Sequence, residues 1–156
     1  DVAPLPGLRL RGSIDLVERH RHTQQIRITD HKTGRPPERQ PAFVGGGAVL
    51  QPILYSLAAE QILGEPVTSG RLFYCTQRGG YKEYTVAAKP IARHHLQEAM
   101  DTIDGAIAAG FLPAAPAKDA CSLCDYQAVC GPREEERVRR KPAERLEQLE
   151  RLRSLP

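Results

Sequence analysis

The sequence predicts an α/β or α+β fold: a small mixed sheet flanked by helices, followed by a cysteine loop and a charged tail. Three observations lead there. Short strand-like runs come in two pairs, each closed by a polar or glycine turn. A stretch of helical character follows each pair. The chain also has 156 residues, 40% hydrophobic and 26% charged, enough for one domain with its own core.

Taken in order, residues 1–7 hold Pro4, Pro6 and Gly7 and read as an extended lead-in. From Leu8 to Val17 apolar and polar residues partly alternate through Leu8, Leu10, Ile14 and Leu16, which predicts a strand. His20 to Gln24 is a polar turn. Gln25 to Thr29 is a second strand with Ile26 and Ile28 on one face, and so short a connection makes the pair antiparallel. Residues 33–47 are rich in glycine and proline and form a long loop, of a length that is commonly functional. Val49 to Leu63 reads as a helix stopped by Gly64, and Pro52 puts its regular start near Leu50. Gly70 to Gln77 is a strand, Arg78-Gly79-Gly80 a tight turn, and Tyr81 to Ala87 the partner strand. Ile91 to Ala109 is an amphipathic helix on Ile91, Leu96, Met100, Ile103 and Ile107. Residues 110–120 are a proline- and alanine-rich loop. The run Arg133 to Lys141 is mixed in sign and reads as an exposed helix. Pro142 divides the tail, and Leu146, Leu149 and Leu152 make a narrow apolar stripe beyond it. The expected division is a core over residues 1–131 and a charged helical tail over 132–156.

Composition bounds the function. No apolar run approaches the roughly 18 residues of a membrane span, and no signal peptide is visible, so a cytoplasmic protein without a membrane partner is expected. A net charge of +3 and a pI of about 8.8 admit a nucleic-acid partner without demanding one. The start at Asp1, without an initiator methionine, points to a piece of a longer protein.

Chemistry gathers in residues 11–34. Each of the first two strands delivers an acidic residue, Asp15 and Asp30. Carboxylates on adjacent strands can converge on a hard divalent cation such as Mg²⁺ or Mn²⁺, and the carbonyl of His31 can add a third oxygen. Lys32 points to the same face as Asp30, two residues on. A cation and an ammonium beside it suit phosphodiester hydrolysis, because both offset negative charge on the reacting phosphate. The plain alternative makes Asp15 and Asp30 strand-end surface charges, with Lys32 as their salt-bridge partner.

The cysteines are the second signal. Cys121, Cys124 and Cys130 have the spacing of thiolates that bind Zn²⁺ or an iron–sulfur cluster, but three do not complete a tetrahedral site. Cys75 lies mid-strand, where a small buried thiol is ordinary. A structural zinc site and a redox pair are the alternatives for the trio. His20, His22, His94 and His95 read as surface residues. Of the basic residues near the hairpin and loop, Arg27, Lys32, Arg35, Arg39, Arg71 and Arg78, some are candidates for phosphate contacts and most for a solvated face.

Gly12-Ser13-Ile14-Asp15, a spacer, then Ile28-Thr29-Asp30-His31-Lys32-Thr33-Gly34, followed by Gln51-Pro52-Ile53-Leu54-Tyr55, resembles the PD-(D/E)XK nuclease superfamily in its RecB-like exonuclease branch. The resemblance implies a restriction-endonuclease-like core and a metal-dependent DNA exonuclease. Asp15, Asp30 and Lys32 are then catalytic, with Gln51 and Tyr55, at i and i+4 on one helix face, completing the site. The segments Arg71 to Gly80 and Cys121 to Lys141 look like the C-terminal nuclease region of AddB-like helicase–nuclease subunits, which process DNA ends for recombination and repair. A standalone or CRISPR-associated RecB-like exonuclease is close behind. That branch implies a 4Fe-4S cluster on Cys121, Cys124 and Cys130, with a fourth cysteine and a helical histidine upstream of this sequence. Two rival readings stand beside it. One is a catalytically inactive nuclease fold kept for DNA binding or subunit assembly. The other is a zinc-stapled interaction domain in which the acidic motif is coincidence.

Overall fold

The computed structural model describes residues 1–38, 40, 42–117 and 120–156, with Leu123 described by its backbone alone. Of the basic candidates, Arg39 lies outside the described residues.

The lead-in is a strand. Leu5 and Leu8 pair across a turn at Pro6-Gly7, making an antiparallel ribbon of β1 (Val2–Leu5) and β2 (Leu8–Leu10). The strand expected over Leu8 to Val17 is therefore broken. Its first part pairs back on β1, and only from Leu16 does the chain meet the main sheet. Gly12, a poor strand residue, lies in the gap.

The main sheet has four strands in the order β3 (Leu16–Arg19), β4 (Ile26–Lys32), β5 (Val67–Tyr74) and β6 (Glu83–Ala87). Both outer pairs are antiparallel. The central pair, β4 with β5, is parallel, so the sheet is mixed as expected. A parallel pair needs a crossover, and helix α1 (Gln51–Leu63) supplies it. Gly64, left-handed at φ 68°, closes that helix.

Strand alternation gives the sheet two faces of opposite character. One presents Ile26, Ile28, Asp30 and Lys32 from β4, Gly70, Leu72 and Tyr74 from β5, and Val86 from β6. Helix α1 lies on this face through Ala59 and Tyr55. Its approach to β5 is close: a Cβ at Gly70 would lie 2.1 Å from the Pro52 carbonyl oxygen. Val44, Ile53, Val86, Ala88, Ala92 and Leu96 form the second part of the same core. The opposite face is polar. There Arg71 donates to Thr29 Oγ1 at 3.0 Å, to Glu18 at 3.0 Å and to Glu83 at 2.7 Å, while Arg27 also pairs with Glu18. Arg27 hydrogen bonding, aided by Thr29 and the charges of Arg27 and Arg71, outweighs burial and holds the Glu18 carboxyl below its ordinary value. Arg27 and Arg71 are thus neutralised on the face away from Asp30 and Lys32.

Helix α2 (Pro90–Ala108) buries Ala92, Leu96 and Ala99, at i, i+4 and i+7. The expected face runs through larger residues, and its two ends lie in water: Ile91 is 47% and Ile107 59% exposed. Small alanines let α2 sit close, which pure hydrophobicity does not signal. His95 is also less exposed than expected, stacked on Phe43 at 5.4 Å between ring centroids. Glu60 ties α1 to α2 and β5, accepting from Arg93 at 2.6 and 2.7 Å and from the Val67 N–H at 2.9 Å.

Three short helices follow: α3 (Gln127–Cys130), α4 (Glu134–Val138) and α5 (Glu147–Ser154). The run expected as an exposed helix is only five residues of helix, and Glu134 within it is buried between Arg137 and Lys141. Helix α5 docks on the glycine-rich loop. Val44 N–H donates to the Pro156 carbonyl at 2.7 Å and Gly46 N–H to that of Leu155 at 2.9 Å. Leu146 is buried, and Leu155 packs against the core. No helix among the described residues is long and apolar enough to cross a membrane.

Candidate active site

The site forms where β4 and β5 end together, beside the start of α1. Lys32 is the register partner of Tyr74, and Asp30 that of Leu72. Because α1 follows β4 and leads back to a parallel strand, its N-terminus lies at this same end of the sheet. The sequence places Gln51 and Tyr55 one turn apart there, as i and i+4 predicts.

Lys32 Nζ is the hub. It lies 2.7 Å from Asp30 Oδ2 and donates to Gln51 Oε1 at 2.5 Å. Gln51 Nε2 in turn reaches the Tyr55 hydroxyl at 3.5 Å. The Asp30–Lys32 pair is what a plain surface reading expects as well. The amide on the far side of the ammonium goes beyond it, since Gln51 comes from an element nineteen residues away. Asp30 is only 8% exposed, and its Oδ2, despite the nearby ammonium, accepts no aligned hydrogen bond among the described residues. Burial of such an oxygen without a full set of partners is costly and leaves it able to take a further electrophile.

Asp15 arrives from the unpaired residue just before β3. Its Oδ2 accepts the His31 N–H at 2.8 Å and lies 3.7 Å from His31 Nδ1. Lys32 uses its carbonyl toward β5, accepting from Cys75 N–H at 3.1 Å. Peptide groups alternate along a strand, so those of His31 face the β3 side. There β3 has already ended, which leaves the Asp15 carboxylate to take the N–H and puts the His31 carbonyl on the same side. The His31 ring belongs to the opposite sheet face, edge-on to Phe73 at 5.9 Å. Its N–H makes the closer contact with Asp15, and its ring nitrogen lies farther from the same carboxylate.

The structure thus brings Asp30, Lys32, Gln51 and Tyr55 into one contact chain and sets Asp15 against the neighbouring residue. Tyr74 is a member that sequence reading missed. It is buried, edge-on to Tyr84 at 5.8 Å. Burial raises its phenol pKa, the Lys32 charge opposes that, and Tyr84 and Asp30 add to it. No sequence signal finds Tyr74, because its place beside Lys32 depends on the register of two parallel strands 42 residues apart.

The candidate donors are two carboxylates and a peptide carbonyl, all hard oxygens. Among the described residues there is no group of three or more His, Cys, Asp or Glu side chains that could hold a metal ion. A Mg²⁺-type ion does not need one. It keeps several waters and binds through one or two carboxylates plus substrate phosphate. Asp15, Asp30 and the His31 carbonyl fit a cation of that kind.

The cysteine trio lies elsewhere. Cys121, Cys124 and Cys130 are free thiols lining one cavity of about 960 Å³ with Ala114, Pro116 and Glu135. Burial, the Glu135 carboxylate and the two neighbouring cysteines push the Cys121 thiol up. Cys75 does not line that cavity; its Sγ lies 3.6 Å from the Lys32 carbonyl at the sheet end.

Comparison with known proteins supplies the family. A family model of the PD-(D/E)XK nuclease superfamily matches residues 1–131. The chain belongs to this superfamily. Searches of curated proteins and of solved structures find no match. Membership makes the fold restriction-endonuclease-like, in keeping with the mixed sheet and its flanking helices. It implies a metal-dependent nuclease, typically served by Mg²⁺ or Mn²⁺, and hence DNA as partner.

Proposed function

We propose that this chain is the nuclease domain of a DNA exonuclease that processes ends for recombination and repair beside a helicase domain or subunit in the cytoplasm. The observation that carries the nuclease chemistry is Lys32 Nζ held between Asp30 Oδ2 and Gln51 Oε1. Asp15, Asp30 and the His31 carbonyl would hold Mg²⁺ or Mn²⁺, which lowers the pKa of bound water and offsets charge on the scissile phosphate. Lys32 carries a positive charge to the same phosphate. Gln51 keeps the ammonium from collapsing wholly onto Asp30, and Tyr55 steadies Gln51. The short, two-sided clamp on Lys32 favours a positioned catalytic group over a mobile surface lysine.

The RecB-like branch, close to AddB-like subunits, is supported by the order of the three sequence motifs. Cys121, Cys124 and Cys130 are proposed to give three thiolates to a 4Fe-4S cluster, with zinc as the alternative. Their sharing of one cavity supports a common ligand. Residues 1–131 are proposed as the nuclease domain and 132–156 as its tail.

Linear single- and double-stranded DNA incubated with the chain and Mn²⁺ tests the reading. Nucleotides released progressively from ends, and lost in Lys32→Ala, are expected. Intact DNA of both kinds overturns it. Iron and visible absorbance after anaerobic purification would support the cluster, and stoichiometric zinc would replace it.

A further inference from the structure

We propose that the turn between β5 and β6, residues 75–82, grips an unpaired DNA strand at the site. The Tyr81 ring stacks on a base and the Arg78 guanidinium holds a phosphate, a role that rests on the nuclease reading and adds the form of its substrate.

Position comes first. Lys32 and Tyr74 are register partners on parallel strands, so the loop leaving Lys32 and the turn leaving Tyr74 emerge from one end of the sheet. Ligands of open α/β sheets are met at that end of the strands. The turn is also fastened to the site. Cys75 N–H donates to the Lys32 carbonyl at 3.1 Å, and Thr76 Oγ1 donates to that of Thr33 at 3.3 Å. Thr76 Oγ1 accepts the Gly79 N–H at 3.0 Å. A side chain at Gly79 would meet Tyr74 Cβ at 2.8 Å and the Gly34 carbonyl at 3.2 Å, so the turn lies directly on the backbone that follows Lys32.

Its side chains are those of a nucleic-acid contact. Tyr81 is 64% exposed, and it holds φ at +52°, a conformation that suits glycine or asparagine and strains a bulky residue. Only eight of the 156 residues are aromatic, five Tyr and three Phe. Phe111 and Tyr126 are exposed as well, but among the described residues Tyr81 is the aromatic that stands in water at a positive φ, in a strained turn where neither packing nor turn geometry calls for it. Arg78, three residues before it, is exposed and makes no ion pair among the described residues; Lys82, next to it, is the same. Arg27 and Arg71, by contrast, are both held by Glu18. A bare ring flanked by two unneutralised cations matches base stacking combined with phosphate neutralisation. A duplex hides the faces of its bases, so the matching ligand is a single strand.

The test is fluorescence anisotropy of a labelled oligothymidylate, and of a duplex of the same length, with EDTA present so that no cutting intervenes. Tyr81→Ala is expected to weaken oligothymidylate binding about 5- to 100-fold, with Tyr81→Phe within about twofold of the parent. Tyr81→Gly releases the strained backbone; it should bind as weakly as Tyr81→Ala while melting at or above the parent temperature. Arg78→Ala should lower the slope of log affinity against log salt by about 0.7. Unchanged binding in Tyr81→Gly, or a loss in Tyr81→Phe equal to that in Tyr81→Ala, overturns the grip. Cutting with Mn²⁺ is read separately. A chain that binds through Tyr81 yet never cuts removes the nuclease reading alone, and one that cuts with Tyr81 inert removes the grip alone.

Discussion

Replacing Gly70 by alanine drives a methyl group into the backbone of Pro52. The new Cβ would lie 2.1 Å from the Pro52 carbonyl oxygen and 2.5 Å from its carbonyl carbon and Cα. Real contacts of this kind essentially never fall below 3.0 Å, so the first turn of α1 must retreat by about 0.9 Å, the difference between the two distances. Nothing flexible can absorb that shift, because the obstacle is helix backbone, fixed by the fully buried Ile53. Overpacking of this size costs about 1–3 kcal/mol. For a chain of this length the melting temperature should fall by on the order of 5 °C. The site should suffer more than the fold. Gln51 immediately precedes Pro52, and its grip on Lys32 is 2.5 Å long. A misplacement of about 1 Å at a reacting centre can cost about 100-fold in rate. Urea unfolding followed by circular dichroism gives the stability. Initial rates of DNA degradation, taken where both proteins are fully folded, give the activity. An unchanged midpoint would show that α1 is not seated on Gly70. A lowered midpoint with an unchanged rate per folded molecule would show that Gln51 does not position Lys32.

Other changes probe the remaining contacts. Gln51→Leu should leave the fold intact and lower cleavage about 10- to 100-fold, the worth of one hydrogen bond to a charged group, whereas Tyr55→Phe should cost less; equal rates in single-turnover assays would refute the chain of contacts. Mn²⁺ should raise the melting temperature of the parent and not that of the Asp15→Asn, Asp30→Asn double variant, because only bound cation stabilises the native state. Glu60→Gln should cost about 1–3 kcal/mol at neutral pH by weakening the links to Arg93 and Val67. Burial pushes the Glu60 carboxyl up, but the Arg93 hydrogen bonds, the Val67 N–H and the Arg93 charge together hold it below its ordinary value. Its stabilisation is therefore full above the unfolded pKa of about 4.3 and fades as pH falls through the lower folded value, so the two proteins should converge in urea midpoint in acid. A constant gap from pH 7 to pH 3 would contradict that.

Much of the site was legible because its members are close in sequence and obey simple periods. Asp30 and Lys32 share a face by strand alternation, and Gln51 and Tyr55 share one by helical spacing. What escaped was set by partners distant in the chain. The break between Leu10 and Leu16 exists because β2 folds back on β1, a pairing that alternation alone does not reveal. The buried face of α2 adds Ala92 and Ala99 to the expected Leu96, while the larger Ile91 and Ile107 are left outside. Arg71 looked available for phosphate until the sheet placed Glu18, Thr29 and Glu83 around it.

By itself the sequence determined the order of elements, the mixed α and β character and the acidic, lysine and amide residues of the candidate site. Local rules of helix and strand suffice for these, since each spans only a few residues. Tertiary structure decided which of those residues meet. The parallel register of β4 on β5 sets Tyr74 and the β5–β6 turn beside Lys32, and the close seat of α1 at Gly70 brings Gln51 onto the lysine. Both depend on packing between segments tens of residues apart, and a one-residue change of register would turn each side chain to the other face.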